Sequence, residues 1–169
     1  MPGRPVGSYA MRTNPTTMEP IMLNDDRTMA TSRTLPYAPE VVYGAFESPD
    51  LLASWWGPEG FTNSFEVFEF RVGGSWTFIM HGPDGTDYAN SSVFEALEPA
   101  ARVVIKHDCA PHFTLTVRLT GVEAGTHLSW EQVFDDSKTA QAVRDLVGAA
   151  NEQNLDRLTR VLGQAPMAA

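Results

Sequence analysis

The sequence has little cysteine, little positive charge and no long apolar run. Cys109 is the single cysteine among 169 residues, so no disulfide can form within the chain and no cysteine-based zinc site is available. Lysine and arginine number 12 against 21 acidic residues, and the net charge of −9 disfavours nucleic acid and anionic membrane surfaces as partners. No apolar run reaches the roughly eighteen residues of a membrane span. These absences point to an ordinary acidic globular protein.

The two ends of the chain lack the periodic apolar pattern of folded elements. Residues 1–25 mix Pro, Gly, Thr, Asn and Met, which predicts a flexible N-terminal extension, and residues 164–169 are expected to form a C-terminal tail. The first residues also lack the apolar segment of a secretory signal, so we expect a cytoplasmic location. Residues 26–163 are long enough for one domain, which would be a monomer or a homodimer.

Periodic patterns begin near residue 27 and predict a definite order of elements. A Thr-rich strand over Arg27–Leu35 precedes a helix that begins at Pro39 and a second short helix over Asp50–Trp55. Six strands separated by turns follow. Apolar residues at three- and four-residue spacing then predict a long helix over Lys138–Leu162. This order predicts an α+β fold in which a curved antiparallel sheet of about seven strands wraps around the long C-terminal helix.

One stretch joins the second short helix to the first strand of the predicted meander. Trp55-Trp56-Gly57-Pro58-Glu59-Gly60-Phe61 cannot continue a helix, because Pro fixes φ and Gly tolerates a positive φ. It is either a buried turn that pins the helix onto the sheet or a lip of large apolar side chains at the mouth of a pocket. We expect one indole in the core and the other near the pocket entrance.

Alternation along the strands predicts an inward face rich in aromatic side chains. His107 and Gln132 share this face, and a buried polar group without a partner costs about 1–3 kcal/mol. Gly148-Ala149-Ala150 places small residues midway along the long helix, which would leave space opposite the sheet. Aromatic side chains fill a core as readily as they line a cavity, so both interpretations stay open. The residues predicted to contact a ligand are Trp55, Trp56, Phe61, Phe70, Trp76, Phe78, Met80, His107, Phe113, Leu115, Trp130, Gln132, Leu146 and Ala150.

Patterns for catalysis or metal binding are weak. The four histidines show no metal-binding spacing on a helix, and neither a metal nor a cofactor is predicted. Glu66 and Glu69 lie three residues apart on a predicted strand, so they should point to opposite faces and cannot form an acid–base pair. Cys109 has no evident histidine partner in its own motif. His107 is the one side chain considered as a catalytic candidate.

Four segments carry a resemblance to a known family. They are Ala38-Pro39-Glu40-Val41-Val42-Tyr43, Trp55-Trp56-Gly57-Pro58 with Phe61, Phe70-Arg71-Val72-Gly73-Gly74-Ser75-Trp76, and Gly82-Pro83-Asp84-Gly85. In this order and spacing they resemble the activator of heat-shock protein 90 ATPase homologue family, over about Arg27 to Leu162. The resemblance implies the helix-grip fold of the START-like (SRPBCC) superfamily, with a cavity between the sheet and the long helix. It implies no shared catalytic residues.

Three hypotheses about function follow. The first is a binding protein that holds a small hydrophobic or aromatic molecule in the cavity, as superfamily members do with lipids, sterols and polyketides. The second is an enzyme of the cyclase or dehydratase kind, in which His107 transfers a proton and Gln132 or Tyr88 orients the substrate. The third is a co-chaperone-type interaction domain, which is disfavoured because no partner-binding extension is evident. We expect binding without catalysis.

Overall fold

The structure, a computed structural model, describes residues 26–164. The predicted N-terminal extension and residues 165–169 lie outside this range, whereas Gln164, assigned to the tail from the sequence, belongs to the last helix. The elements in chain order are β1 (Thr28–Leu35), α1 (Pro39–Glu47), α2 (Pro49–Trp55), β2 (Thr62–Phe68), β3 (Ser75–His81), β4 (Asp87–Glu98), β5 (Arg102–His107), β6 (Phe113–Val122), β7 (Gly125–Phe134) and α3 (Ser137–Gln164).

Seven strands form one antiparallel sheet in the spatial order β1-β7-β6-β5-β4-β3-β2. Strands β2 to β7 follow one another as a meander, and β1 pairs with β7. Register shifts in β2 and β4 mark bulges, which bend a strand and increase its twist. The curved sheet, the long C-terminal helix and the two short helices after β1 confirm the predicted α+β helix-grip fold.

The local sequence explains where the helices begin. Pro39 occupies the first turn of α1, where a missing N–H leaves no hydrogen bond unmade. At α2, the Ser48 hydroxyl accepts a hydrogen bond from the Leu51 N–H at 3.3 Å. At α3, the Asp136 carboxylate accepts one from the Thr139 N–H at 2.9 Å. Each cap supplies a partner for a backbone group that the helix itself cannot satisfy.

Apolar packing forms a large cluster and a small one. The large cluster joins the inward faces of the strands to α1, α2 and the C-terminal half of α3, which contributes Leu155 and Leu158. The small cluster consists of Met29, Phe134 and Ala140, near the start of α3. The two clusters therefore hold the two ends of the long helix, and the candidate site described below lies along its middle.

Strand β2 differs from the prediction because of its bulge. The strand ends at Phe68, and both Phe65 and Phe68 pack against the large cluster despite their three-residue spacing. Glu69 therefore lies outside the strand, and its carboxylate accepts a hydrogen bond from the Ser75 N–H at 3.2 Å. Simple alternation does not apply where an extra residue is inserted into a strand.

Helix α3 is not buried evenly along its length. It spans Ser137–Gln164 and is slightly longer than the predicted Lys138–Leu162. The sequence pattern assigns Leu146 to the apolar face, yet its side chain is 74% exposed. Of residues 137–150, only Ala140 is fully buried. Leu146 is not buried against the sheet, because this half of the helix stands away from it.

Candidate functional site

A cleft opens between the N-terminal half of α3 and strands β3, β4 and β5. Its outer part has a volume of about 760 Å³ and reaches solvent between the exposed side chains of Tyr88 and Leu146. An inner part of about 240 Å³ lies toward the Trp-Trp turn. The two parts adjoin, because they share the lining residues Pro58, Met80, Asn90, His107, Pro111, Val147 and Ala150.

His107 lies on the wall shared by the two parts and is 6% exposed. Its Nδ1 lies 2.7 Å from the Pro111 carbonyl oxygen, its Nε2 lies 2.8 Å from Asn90 Oδ1, and its ring stacks on Phe113. Burial lowers the pKa of His107, whereas the hydrogen bond to the Pro111 carbonyl raises it. Burial is the larger effect, so the imidazole is neutral at neutral pH.

Cys109 completes the surroundings of this ring. A neutral imidazole that donates from Nδ1 to the Pro111 carbonyl has an acceptor at Nε2. Cys109 Sγ lies 3.5 Å from Nε2, so the thiol can donate there, whereas the Asn90 amide nitrogen donates to the Tyr88 carbonyl at 2.9 Å. The expectation that Cys109 lacks a histidine partner is wrong, because the chain after β5 folds the thiol back over His107. Both ring nitrogens are therefore engaged within the protein.

Gln132 on β7 and Asn151 on α3 form a second polar pair at the inner part of the cleft. Asn151 Nδ2 donates to Gln132 Oε1 at 3.1 Å, and the two residues are 9% and 7% exposed, respectively. Both line the inner part. Its walls thus combine imidazole and amide groups with aromatic and aliphatic side chains. Among the described residues, the inner lining includes no carboxylate, ammonium or guanidinium group.

The next turn of α3 holds the Trp-Trp turn against the helix. Asn154 Nδ2 donates to the Trp55 carbonyl at 3.0 Å, and Asn154 Oδ1 accepts from the Gly57 N–H at 3.2 Å. Arg157 is 9% exposed, and burial lowers its pKa without removing its charge. Its terminal nitrogens donate, at 2.8 to 3.1 Å, to the backbone carbonyls of Ser54, Trp56, Gly57, Pro58 and Phe61.

Gly57 is required at the centre of this turn. Its φ is 97°, in the region that favours glycine. A Cβ at this position would lie 2.7 Å from Met80 Cε and 3.4 Å from Phe61 Cβ. Since Met80 and Phe61 line the cleft, any larger residue here would displace the cleft wall.

The two indoles of the turn divide between the core and the inner part of the cleft, so the expectation of an indole near the entrance is wrong. Trp55 is fully buried, and its Nε1–H donates to the Ala45 carbonyl at 3.0 Å. Trp56 is half-buried, lines the inner part of the cleft and packs on Trp76 with ring centroids 5.0 Å apart. Its ring also lies near Trp55 and Trp130, so Trp56 joins all four tryptophans into one cluster.

The structure brings most of the sequence-predicted ligand-contacting residues together. Those that line the cleft are Trp56, Phe61, Met80, His107, Phe113, Leu115, Trp130, Gln132, Leu146 and Ala150. Trp55, Phe70, Trp76 and Phe78 line neither part and belong to the large apolar cluster. Trp76 is kept from the cleft because Trp56 packs over it.

Sequence reasoning missed four polar residues around the site. Asn90 lies on β4, whose faces could not be assigned because polar and apolar residues are mixed on both sides. Asn151, Asn154 and Arg157 recur every three residues in α3 and are all buried. These three helix residues could have been identified from the sequence, because they are polar residues at positions that continue the apolar stripe of the helix.

A Ser–His–Asp arrangement lies on the sheet beside the cleft, with Asp87 at the rim of the outer part. Ser64 Oγ lies 2.7 Å from His81 Nε2, and His81 Nδ1 lies 2.7 Å from Asp87 Oδ1. This is the order of groups in a hydrolytic triad. Ser64, however, is exposed on an edge strand, and neither it nor His81 lines either part of the cleft. The Ser64 hydroxyl therefore does not face an enclosed substrate site.

A separate depression of about 520 Å³ lies on the other side of the Trp-Trp turn. Its charged groups already have partners. Arg160 pairs with Glu59 at 2.8 Å, and Arg157 is bound by the carbonyls of the turn. Within residues 26–164 there is also no cluster of three or more His, Cys, Asp or Glu side chains that could hold a metal, and no helix long and apolar enough to cross a membrane. The cleft is therefore the better candidate site.

A curved sheet that grips a long helix, with a cleft between them, defines a helix-grip protein of the START-like class. The family model described as "Activator of Hsp90 ATPase homolog 1-like protein" matches residues 36–163. The chain belongs to this family, which confirms the resemblance found in its sequence motifs.

Solved structures of bacterial proteins share the fold. A protein from Nitrosomonas europaea gives a TM-score of 0.77 at 19% identity, covering 83% of this chain and 97% of its own. One from Chromobacterium violaceum gives 0.73 at 26% identity, covering 79% and 96%. An AHSA1-like protein from Aeromonas hydrophila gives 0.69 at 18% identity, covering 84% and 97%. No curated protein matches the sequence.

Proposed function

We propose that this protein binds a small, largely apolar ligand that contains an aromatic ring, in the cleft between α3 and the sheet. The observation that carries the proposal is the meeting, in one space, of aromatic walls with the buried polar groups of His107, Gln132 and Asn151. Small-molecule sites are typically about 300–1,000 Å³ in volume and apolar, with a few placed polar groups. The outer part, at about 760 Å³, falls in that range.

The middle of α3 supports the same proposal. Protein interiors are normally packed without space for a further side chain. Here Ala149 and Ala150 face the cleft where Leu or Phe would fill it, and Leu146 remains exposed at the rim. The protein thus leaves apolar surface exposed in the cleft. A ligand that covered this surface would gain about 25 cal/mol of binding free energy for each Å² removed from water.

Binding fits this geometry better than proton transfer by His107. A general acid or base needs a ring nitrogen within hydrogen-bond reach of the substrate. Nδ1 of His107 is engaged by the Pro111 carbonyl, and Nε2 is engaged by Asn90 and Cys109. In this arrangement His107 shapes and polarises the wall without presenting a reactive nitrogen.

A thermal-shift screen of neutral and charged aromatic compounds tests the proposal. We expect some compounds to raise the Tm of the wild-type protein and to leave that of the Ala150→Phe variant unchanged, because the new ring fills the space. Ala142→Phe is the matched control, since Ala142 is exposed on the same helix and lines neither part of the cleft. Equal shifts in wild type and Ala150→Phe would place the ligand elsewhere, and a screen without any shift would count against ligand binding.

A further inference from the structure

The cleft is nearly free of charged groups. In its outer part, the only carboxylate, ammonium or guanidinium group among the described residues is Asp87, which is exposed at the rim and 2.7 Å from His81 Nδ1. In its inner part there is none. Arg157 is a buried cation on α3, a few residues after those that line the cleft. It lines neither part of the cleft, and its terminal nitrogens donate to carbonyls of the Trp-Trp turn.

The lack of a cation decides which ligands can enter fully. Removing a carboxylate or phosphate from water costs several kcal/mol unless a counter-charge or several hydrogen bonds replace the water. Among residues 26–164 no such counter-charge lines the cleft, and Asp87 at the rim would repel an anion. A neutral molecule meets neither obstacle.

The buried polar groups of the cleft lie at its inner end, whereas Asp87, Tyr88 and Gln153 in the outer part are at least partly exposed. Gln132, Asn151 and Asn154 line the inner part alone, whereas His107 and Asn90 stand on the wall shared by both parts. The outer part is bounded mainly by apolar side chains, including those of Phe61 and Leu146. A ligand with one hydrogen-bonding group is therefore satisfied best when that group points inward and its apolar part faces the mouth.

The inner volume limits what can occupy it. An apolar cavity of about 150 Å³ in another protein holds a benzene molecule. The inner part here, at about 240 Å³, has room for one ring with a hydroxyl or carbonyl substituent. The rest of a larger ligand would occupy the outer part.

We infer that the ligand of this cleft is a neutral aromatic molecule that enters with a hydroxyl or carbonyl group first, and that the cleft excludes carboxylates and phosphates of the same shape. The inference rests on the proposed function, because it assigns the chemical class of the molecule that binds there. It separates a neutral aromatic ligand from fatty acids and phosphorylated lipids, which also contain long apolar parts.

Calorimetric titration with 2-naphthol, naphthalene and 2-naphthoate tests this inference. We expect 2-naphthol to bind about 3- to 10-fold more tightly than naphthalene, as one buried hydrogen bond would give. We expect 2-naphthoate to bind at least about 100-fold more weakly than 2-naphthol, because its charge would be buried without a partner. Binding of 2-naphthoate as tight as that of 2-naphthol overturns the inference and leaves the cleft as a ligand site.

The Gln132→Leu variant tests the orientation. It replaces the amide side chain by an apolar one of similar size, so the preference for 2-naphthol over naphthalene should fall toward one. Gln153→Leu is the matched control, because Gln153 lines the outer part only, and its preference should equal that of the wild type. A preference that survives in Gln132→Leu and disappears in Gln153→Leu contradicts the inward orientation. If none of the three compounds binds the wild type, the proposed function fails and this inference fails with it.

Discussion

The two halves of α3 serve the molecule in different ways. The C-terminal half buries Leu155 and Leu158 in the large apolar cluster and binds the Trp-Trp turn through Arg157. The N-terminal half buries only Ala140 fully, and its later residues border an open cleft. One half of a single helix therefore stabilises the fold, while the other half leaves the space in which a ligand can be held.

The polar groups of the two halves also differ in what they bind. Arg157 and Asn154 bind backbone atoms of the turn, and these contacts hold the turn on the helix. Asn151 binds the side chain of Gln132 at the edge of the cleft, where rotation of either side chain could free a group for a ligand. Buried polar groups are thus structural where they meet backbone and available for recognition where they meet other side chains. Substitutions in the two halves can test this distinction.

The largest effect is expected for Arg157→Met. The substitution leaves several buried carbonyls of the turn without a donor, at about 1 kcal/mol or more each, so the free energy of unfolding should fall by about 3–5 kcal/mol. Denaturant unfolding measures the change. Arg160→Met is the control, because its ion pair with Glu59 is exposed and should contribute little to stability. Similar losses in both variants would show that the contacts of Arg157 with the turn are not specially important.

A matched pair of leucines on α3 compares the halves directly. Leu158 is fully buried and Leu146 is 74% exposed. Leu158→Ala should lower the free energy of unfolding by about 2–5 kcal/mol through lost burial and the resulting cavity. Leu146→Ala should change it by no more than about 0.5 kcal/mol. A large loss from Leu146→Ala would mean that the N-terminal half packs more tightly in solution than in this structure.

The next prediction concerns the cleft wall and pH. Burial lowers the pKa of His107 below its ordinary value of 6.5, so below that pH the unfolded chain binds a proton that the folded protein does not. His107 should leave stability unaffected above pH 6.5 and reduce it as the pH falls below 6.5, until the pKa of the folded state is passed.

Denaturant unfolding of wild type and His107→Gln between about pH 7.5 and about pH 5 measures this effect. The other histidines and the carboxylates are common to both proteins, so the difference between the two curves isolates His107. The wild type should lose more stability than the variant on acidification. Parallel curves would show that His107 is as easily protonated in the folded protein as in the unfolded chain.

The smallest effect is expected where the helix faces empty space. Ala150→Leu should raise the free energy of unfolding by no more than about 1 kcal/mol, because the added side chain is buried in the cleft without displacing other groups. The same change at Ala140, which is fully buried in the small cluster, should lower it by about 1–3 kcal/mol through overpacking. If both variants lose stability equally, the cleft is closed in solution.

Much of this architecture could be predicted before the structure was known. Alternating residues and turn residues predicted the strands, and Pro39 and Ser48 marked the starts of helices, because such signals act over a few neighbouring residues. The errors in the predicted strand faces also arose from single residues. A bulge in β2 places both Phe65 and Phe68 against the large cluster, and one extra residue is enough to reverse the faces of all that follow.

The site was predicted in composition more than in arrangement. His107 and Gln132 were identified because they interrupt an apolar face. Their partners Asn90 and Asn151 were not identified. Both faces of β4 mix polar and apolar residues around Asn90, and the signal at Asn151, a polar residue that continues the apolar stripe of α3, was not used. The separation of Trp76 from the cleft depends on where Trp56 packs, and no periodicity governs a turn.

The sequence by itself determined the order of elements, the inward face of most strands and the family, because these depend on short-range periodicity and on motifs. Only the tertiary structure decided how each half of α3 is used. Arg157 and Asn154 reach a turn about 100 residues earlier in the chain, and Asn151 reaches Gln132 across the helix–sheet interface. Long-range packing decides which polar residue binds backbone, which one lines the cleft and where space remains. A pattern of neighbouring residues cannot predict that packing.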